Sequence, residues 1–190
     1  MRNVLFLDFD GVLHRGDAYI TPQGVVSSAP GIIKLFEFAQ VLEELLAPYP
    51  RIEIVLSTDW CSRFGFEHAR RMLPLESLRQ RVTDATYDVE RDDSASWPTR
   101  PRGSQILRHV RRHNLVAWLA VDDRRDGFHG YHDRLIHCQT EAGLGDLAVI
   151  EYFRSRLHER FDENPTHRSF KEMLSDMPDV GTDDDFNCWG

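Results

Sequence analysis

The sequence predicts an α/β domain built on a mainly parallel sheet, and three observations carry that prediction. Short apolar runs at Val4–Leu7, Ile52–Leu56 and Ala117–Val121 alternate with stretches whose apolar residues recur at helical spacing. The runs are continuously apolar, as expected of strands covered by helices on both faces. Each run ends in polar residues: Asp8, Asp10 and Gly11 follow the first, Ser57-Thr58-Asp59 the second, and Asp122-Asp123 the third. In sheets of this kind the binding crevice lies beyond the carboxyl ends of the strands. Groups far apart in sequence are therefore expected to converge on one edge.

The elements follow in order. After Gly11, the polar segment from His14 to Ser28 has turn signals at Arg15-Gly16-Asp17 and Thr21-Pro22 and reads as a loop or small hairpin flap. Ile32, Leu35, Phe36, Ala39, Leu42 and Leu46 predict an amphipathic helix from Pro30-Gly31, stopped by Pro48 and Pro50. A helical stretch follows Ser57-Thr58-Asp59, with Phe66, Ala69, Arg70 and Met72-Leu73, breaks at Pro74 and resumes over Leu75–Val82. A short strand is expected near Val82–Thr86, followed by an exposed loop to Pro101. Ile106, Leu107 and Val110 mark a helix over Ser104–His113. Arg134–Cys138 reads as a further strand. Gly143-Leu144-Gly145 is a turn, and Asp146 can N-cap a helix to about Phe161. The expected division is a domain over 1–161 and an acidic tail over 162–190, with one short helix near Phe170–Leu174.

At 190 residues, 41% hydrophobic and 28% charged, the chain has the size and composition of one globular domain with a proper core. With 23 basic against 31 acidic residues the net charge is −8, so no global field draws nucleic acid or an anionic membrane to it. Nucleic acid as a partner then rests on a local basic patch. Cys61, Cys138 and Cys188 are scattered and form no CxxC, which argues against a disulfide framework or structural zinc and fits a reducing compartment. Asp8 and Asp10 interrupt the first apolar run too early for a signal peptide. No stretch approaches the roughly 20 apolar residues of a membrane helix. A cytoplasmic location and no membrane partner are expected.

Carboxylates gathered at one sheet edge repel unless a cation sits among them. Hard oxygen ligands without an organised Cys/His set favour Mg²⁺, which suits phosphoryl chemistry. An aspartate can attack phosphorus to form an aspartyl-phosphate, while a second acid protonates the leaving oxygen and later activates water.

These residues resemble the haloacid dehalogenase (HAD) superfamily of phosphohydrolases. LFLDFDGV resembles its first motif, VLS its second and AVDD its fourth, with Arg102 or Arg100 as the basic third motif. The layout is closest to the small bacterial HAD-like domains related to those of Swiss Army Knife RNA-repair proteins. Leu56–Trp60 (LSTDW), Arg102–Ile106, Trp118–Asp123 and Gly143-Leu144 carry that likeness, which spans about Val4 to Leu157. It implies a Rossmannoid three-layer sandwich with a minimal cap, and a Mg²⁺-dependent phosphatase acting on a phosphorylated substrate. Nucleotide or nucleic-acid-end phosphates lead by analogy.

By the same resemblance Asp8 is the nucleophile and a metal ligand, and Asp10 is the general acid/base with its backbone carbonyl on the metal. Ser57 holds the phosphoryl group, and Arg102 balances charge. Asp123 is favoured over Asp122 as the remaining metal carboxylate. Cys61 stands where the family has arginine after Trp60, and Gln105 where it has glutamate. A HAD-fold binding domain without turnover is the alternative. A weaker alternative is nucleic-acid binding through the arginines at 100–112, a cluster that is more often a solvated helix face than a nucleic-acid site. Asp122-Asp123 before Arg124-Arg125 also fits a solvated turn, but its place after a clean apolar strand favours the site. His109 and His113 have zinc-capable i, i+4 spacing without an evident third ligand and read as surface residues. His129 and His132 read as loop residues, and Trp60 and Trp118 as core, with the mouth of the crevice as the alternative place for Trp60.

Overall fold

A computed structural model describes residues 2–22 and 24–162. The elements run β1 (Asn3–Leu7), β2 (Ala18–Thr21), β3 (Gly24–Ser27), α1 (Ala39–Leu46), β4 (Ile52–Leu56), α2 (Trp60–Phe64), α3 (Phe66–Met72), α4 (Glu76–Arg81), β5 (Val82–Ala85), α5 (Arg102–Arg112), β6 (Ala117–Asp122), β7 (Leu135–His137) and α6 (Leu147–Phe161). Five strands form one parallel sheet in the order β5-β4-β1-β6-β7, and β2 and β3 pair as a separate antiparallel hairpin. The first apolar run is thus the central strand, flanked by the other two.

Strand periodicity sorts the core into two layers. Leu5 and Leu7 face a cluster with Leu42 and Leu46 of α1, Ala69 of α3, Leu78 of α4, and Phe153 and Leu157 of α6. Val4 and Phe6 face the opposite cluster, with Ile106 and Leu107 of α5 and Trp118, Phe128 and Leu135. Both faces of the sheet are covered, which is why its strands read as unbroken apolar runs. The result is the expected α/β three-layer sandwich, with the β2–β3 hairpin as the small insertion after the first strand. Asp146 caps α6 as expected, accepting from the Ala148 amide at 2.8 Å.

Four expectations need correction. The helix expected from Ile32 begins at Ala39 instead. Phe36 has φ of 59°, a conformation a helix cannot hold, and the Phe38 amide bonds the Leu13 carbonyl at 2.9 Å. Phe36 instead packs edge-on against Phe9 at 5.2 Å and Trp60 at 5.5 Å, while Ile32 is 75% exposed. The single helical stretch expected after Asp59 is two helices, because Gly65, with φ of 83°, separates α2 from α3. The segment from Thr83 to Pro101 is not simply exposed. Trp97 is fully buried in a 3₁₀ turn, and Asp92 takes both Nη atoms of Arg108 at 2.5 Å. Arg108 is therefore no member of a solvated face; its guanidinium also sits 4.8 Å from the Trp97 ring centre. Lastly, α5 starts at Arg102, two residues earlier than expected. The acidic tail and the helix expected near 170–174 lie outside the described residues.

Candidate active site

The three strand ends are stitched together by the ladder itself. The Asp8 amide bonds the Val121 carbonyl at 3.2 Å, and the Ser57 amide bonds the Leu7 carbonyl at 2.9 Å. Asp8, Asp122 and Asp123 each present a carboxylate oxygen, all within 4.8 Å of one another. Asp8 is buried, and one of its oxygens accepts from the Phe9 amide at 2.8 Å. Asp122 is completely buried; Oδ1 accepts from the Arg124 amide at 3.0 Å, while Oδ2 has no hydrogen-bond partner among the described residues. Asp123 Oδ2 accepts from Thr140 Oγ1 at 2.7 Å. Gly11 makes this approach feasible, since its φ is 65° and a Cβ there would lie 2.4 Å from Asp123 Oδ2.

Between these acids lies Arg102, only 2% exposed at the first position of α5. Its Nη2 is 3.3 Å from Asp8 Oδ2 and its Nε 3.1 Å from Asp122 Oδ2, and Nη1 reaches Asp59 at 3.3 Å and the Ser57 carbonyl. Arg102, not Arg100, is the cation of the cluster; the Arg100 guanidinium lies 5.6 Å from the Trp97 ring centre. Gln105 fits this arrangement for a physical reason. Its Oε1 accepts from Arg102 at 2.8 Å, and its Nε2 donates to the carbonyls of Trp97 and Arg100 at 2.9 and 3.3 Å. A glutamate could not donate to those carbonyls.

Asp10 stands apart from the three clustered acids and is held by two residues that the sequence did not single out for this purpose. His14 Nε2 lies 3.0 Å from Asp10 Oδ1, and Trp60 Nε1 donates to Oδ2 at 2.8 Å. Both partners are buried, so Trp60 belongs at once to the core and to the site. The i, i+4 spacing of Asp10 and His14 was the available signal. Asp10 and Asp123 border a cavity of about 420 Å³ with Tyr19, Arg63 and Arg124 on its walls. Arg124 is no solvated turn residue: it donates to Asp126 at 2.7 Å and to the carbonyls of Pro98 and Arg100 at 3.2 and 3.0 Å.

Burial sets the electrostatics. It pushes the Asp8 carboxyl well above its ordinary range, against the pull of Arg102, and it raises Asp122 to about 7. Burial likewise raises Asp123, against its bond from Thr140. Desolvation works against the Arg102 charge, but Asp8, Asp122, Asp59 and Asp123 outweigh it and hold the guanidinium charged. One cation therefore faces three crowded acids. The crowding of three acids around one cation and an all-oxygen donor set fit a hard divalent cation. Ser57 Oγ is also buried without a hydrogen-bond partner among the described residues, which suits an oxygen supplied by a ligand.

The model of the HAD domain in Swiss Army Knife RNA repair proteins matches residues 4–149. The chain belongs to this family. The match covers β1 through the start of α6, so every strand end described above lies inside it. Membership of the HAD family implies phosphohydrolase-type chemistry, and HAD domains are typically metal-dependent. No curated protein matches the chain significantly. Among the described residues no helix is long and apolar enough to cross a membrane.

Proposed function

We propose that this HAD domain is a Mg²⁺-dependent phosphatase that hydrolyses a phosphate monoester through an aspartyl-phosphate on Asp8. The observation that carries the reading is the buried Arg102 wedged between Asp8 and Asp122, with the Asp8, Asp122 and Asp123 oxygens within 4.8 Å of one another. Asp8, Asp122 and Asp123, with the Asp10 backbone carbonyl, are the residues that would hold Mg²⁺. When bound, the ion neutralises charge on the phosphoryl oxygens.

An Asp8 oxygen attacks phosphorus, and the ester oxygen leaves with a proton from Asp10. Asp10 then takes a proton from water, which attacks the aspartyl-phosphate; phosphate departs and Asp8 is restored. His14 and Trp60 hold both Asp10 oxygens through these transfers. Ser57 Oγ donates to the phosphoryl group, and Arg102 keeps Asp8 from being a bare buried charge when it is released. Arg63 and Arg124 on the cavity wall take the place of the arginine missing after Trp60. The family's description names RNA repair, so a phosphate at a nucleic-acid end is the substrate class by analogy. The free buried thiols Cys61 and Cys138 are in keeping with a reducing, cytoplasmic setting.

The test is Mg²⁺-dependent phosphate release from a panel of monoesters that includes end-phosphorylated oligonucleotides. Asp8→Asn is expected to lower turnover by at least about 1,000-fold with little change in melting temperature. Turnover that survives the substitution would refute the mechanism. A domain that binds without turnover would show Mg²⁺ and phosphate-analogue binding but no release from any ester.

A further inference from the structure

The geometry points to a second metal site, of zinc type, formed by Asp84 of β5 and His109 and His113 of α5. The two histidines stand one helical turn apart with ring centres 4.2 Å from each other, and a ligand atom from each of the three residues lies within 4.8 Å of the others. His109 Nε2 is 3.7 Å and His113 Nε2 is 3.8 Å from Asp84 Oδ2. Both separations are too long for hydrogen bonds. His109 is only 2% exposed, and its Nε2, turned toward the carboxylate, has no hydrogen-bond partner among the described residues.

A buried nitrogen in that state is costly unless something occupies the gap. Zinc ligands at about 2.0–2.1 Å in a tetrahedron lie roughly 3.3–3.4 Å apart, so Asp84 Oδ2 is within a few tenths of an ångström of ligand spacing from either Nε2, and closing on an ion draws the two imidazoles together around it. Neighbours hold the ligands in place: Asp84 Oδ1 accepts from the Ala85 amide at 2.8 Å, and Phe6 meets the His109 ring edge-on at 5.5 Å.

Two imidazoles and one carboxylate select Zn²⁺ over Mg²⁺, whereas the Asp8 cluster offers oxygen alone. Strand β5 is the sheet edge, separated from β1 by β4, so the two sites sit on different strands. Asp84 and His113 also border a cavity of about 740 Å³ that includes Tyr87 and Arg112. With three protein ligands, two of them on the wall of this cavity, the fourth coordination position is left open to water or an anionic ligand.

The experiment titrates the untagged, metal-stripped full chain with Co²⁺ and then Zn²⁺, with excess Mg²⁺ present. One equivalent of Co²⁺ is expected to give the intense visible bands of four-coordinate cobalt, lost on adding Zn²⁺. The side chains of His113 and Asp84 are 30% and 44% exposed, so His113→Ala and Asp84→Asn should fold, as circular dichroism would verify. Each is expected to weaken Zn²⁺ binding by at least about 100-fold, beyond the loss of a supporting residue. Asp8→Asn should leave it unchanged. Absence of the cobalt bands, or equal Zn²⁺ affinity in the His113→Ala and Asp84→Asn chains, would overturn the site.

Discussion

Ser57 Oγ is buried at the end of β4 and bonds to none of the described residues. A buried hydroxyl without a partner weakens the fold, so Ser57→Ala should leave the melting temperature unchanged or raise it. If the hydroxyl donates to a charged phosphoryl oxygen, the same change should lower kcat/KM by about 10- to 100-fold. A melting curve beside a kinetic trace separates the two effects. Arg102 behaves in the opposite way. It compensates Asp8 and Asp122, both buried like itself, and removing one partner of a buried charge network costs about 3–5 kcal/mol. Arg102→Met should therefore destabilise strongly in urea unfolding, more at pH 8 than at pH 5, where the acids neutralise.

At the scale of elements, α5 positions that arginine and is itself fixed by a backbone contact. The Gly103 amide bonds the Asp126 carbonyl at 2.8 Å, and a Cβ on Gly103 would lie 2.2 Å from the Gly127 backbone. The loop after β6 thus presses directly on the first turn of α5. Gly103→Ala should cost about 1–3 kcal/mol in chemical unfolding and should lower kcat as well, because separating loop and helix drags Arg102 from Asp8. A loss of stability with unaltered kcat would show that Arg102 does not depend on this contact. The existence of α5 was legible from Ile106, Leu107 and Val110. Its early start was not, since the Gly103 contact is made to a segment more than twenty residues away.

For the molecule as a whole, the crowded acids link stability to pH and to metal. Asp8 and Asp122 have raised pKa values when folded, the latter about 7, so between about pH 4 and 7 the folded state binds protons that the unfolded chain has released. Metal-free stability should consequently fall as pH rises through that window. A divalent cation binds the deprotonated form, so Mg²⁺ should raise the melting temperature more at pH 8 than at pH 5. Thermal melts at both pH values, with and without Mg²⁺, check this. An equal shift at both would place Mg²⁺ away from these carboxylates.

The sequence by itself determined the parallel sheet, the strand ends and the acids they carry, because burial on both faces and polar termination are written into short contiguous runs. It also supplied Asp8, Asp10, Ser57 and the aspartates at 122 and 123, each tied to the end of a strand. Tertiary structure alone decided which arginine enters the acid cluster, because Arg100 and Arg102 differ only in which one the first turn of α5 buries. It also decided that His14 and Trp60 grip Asp10, and that Asp84 meets His109 and His113. The i, i+4 spacings of Asp10 with His14 and of His109 with His113 hinted at two of these contacts, but Trp60 and Asp84 come from separate elements, and spacing along the chain says nothing of side chains that only packing brings together.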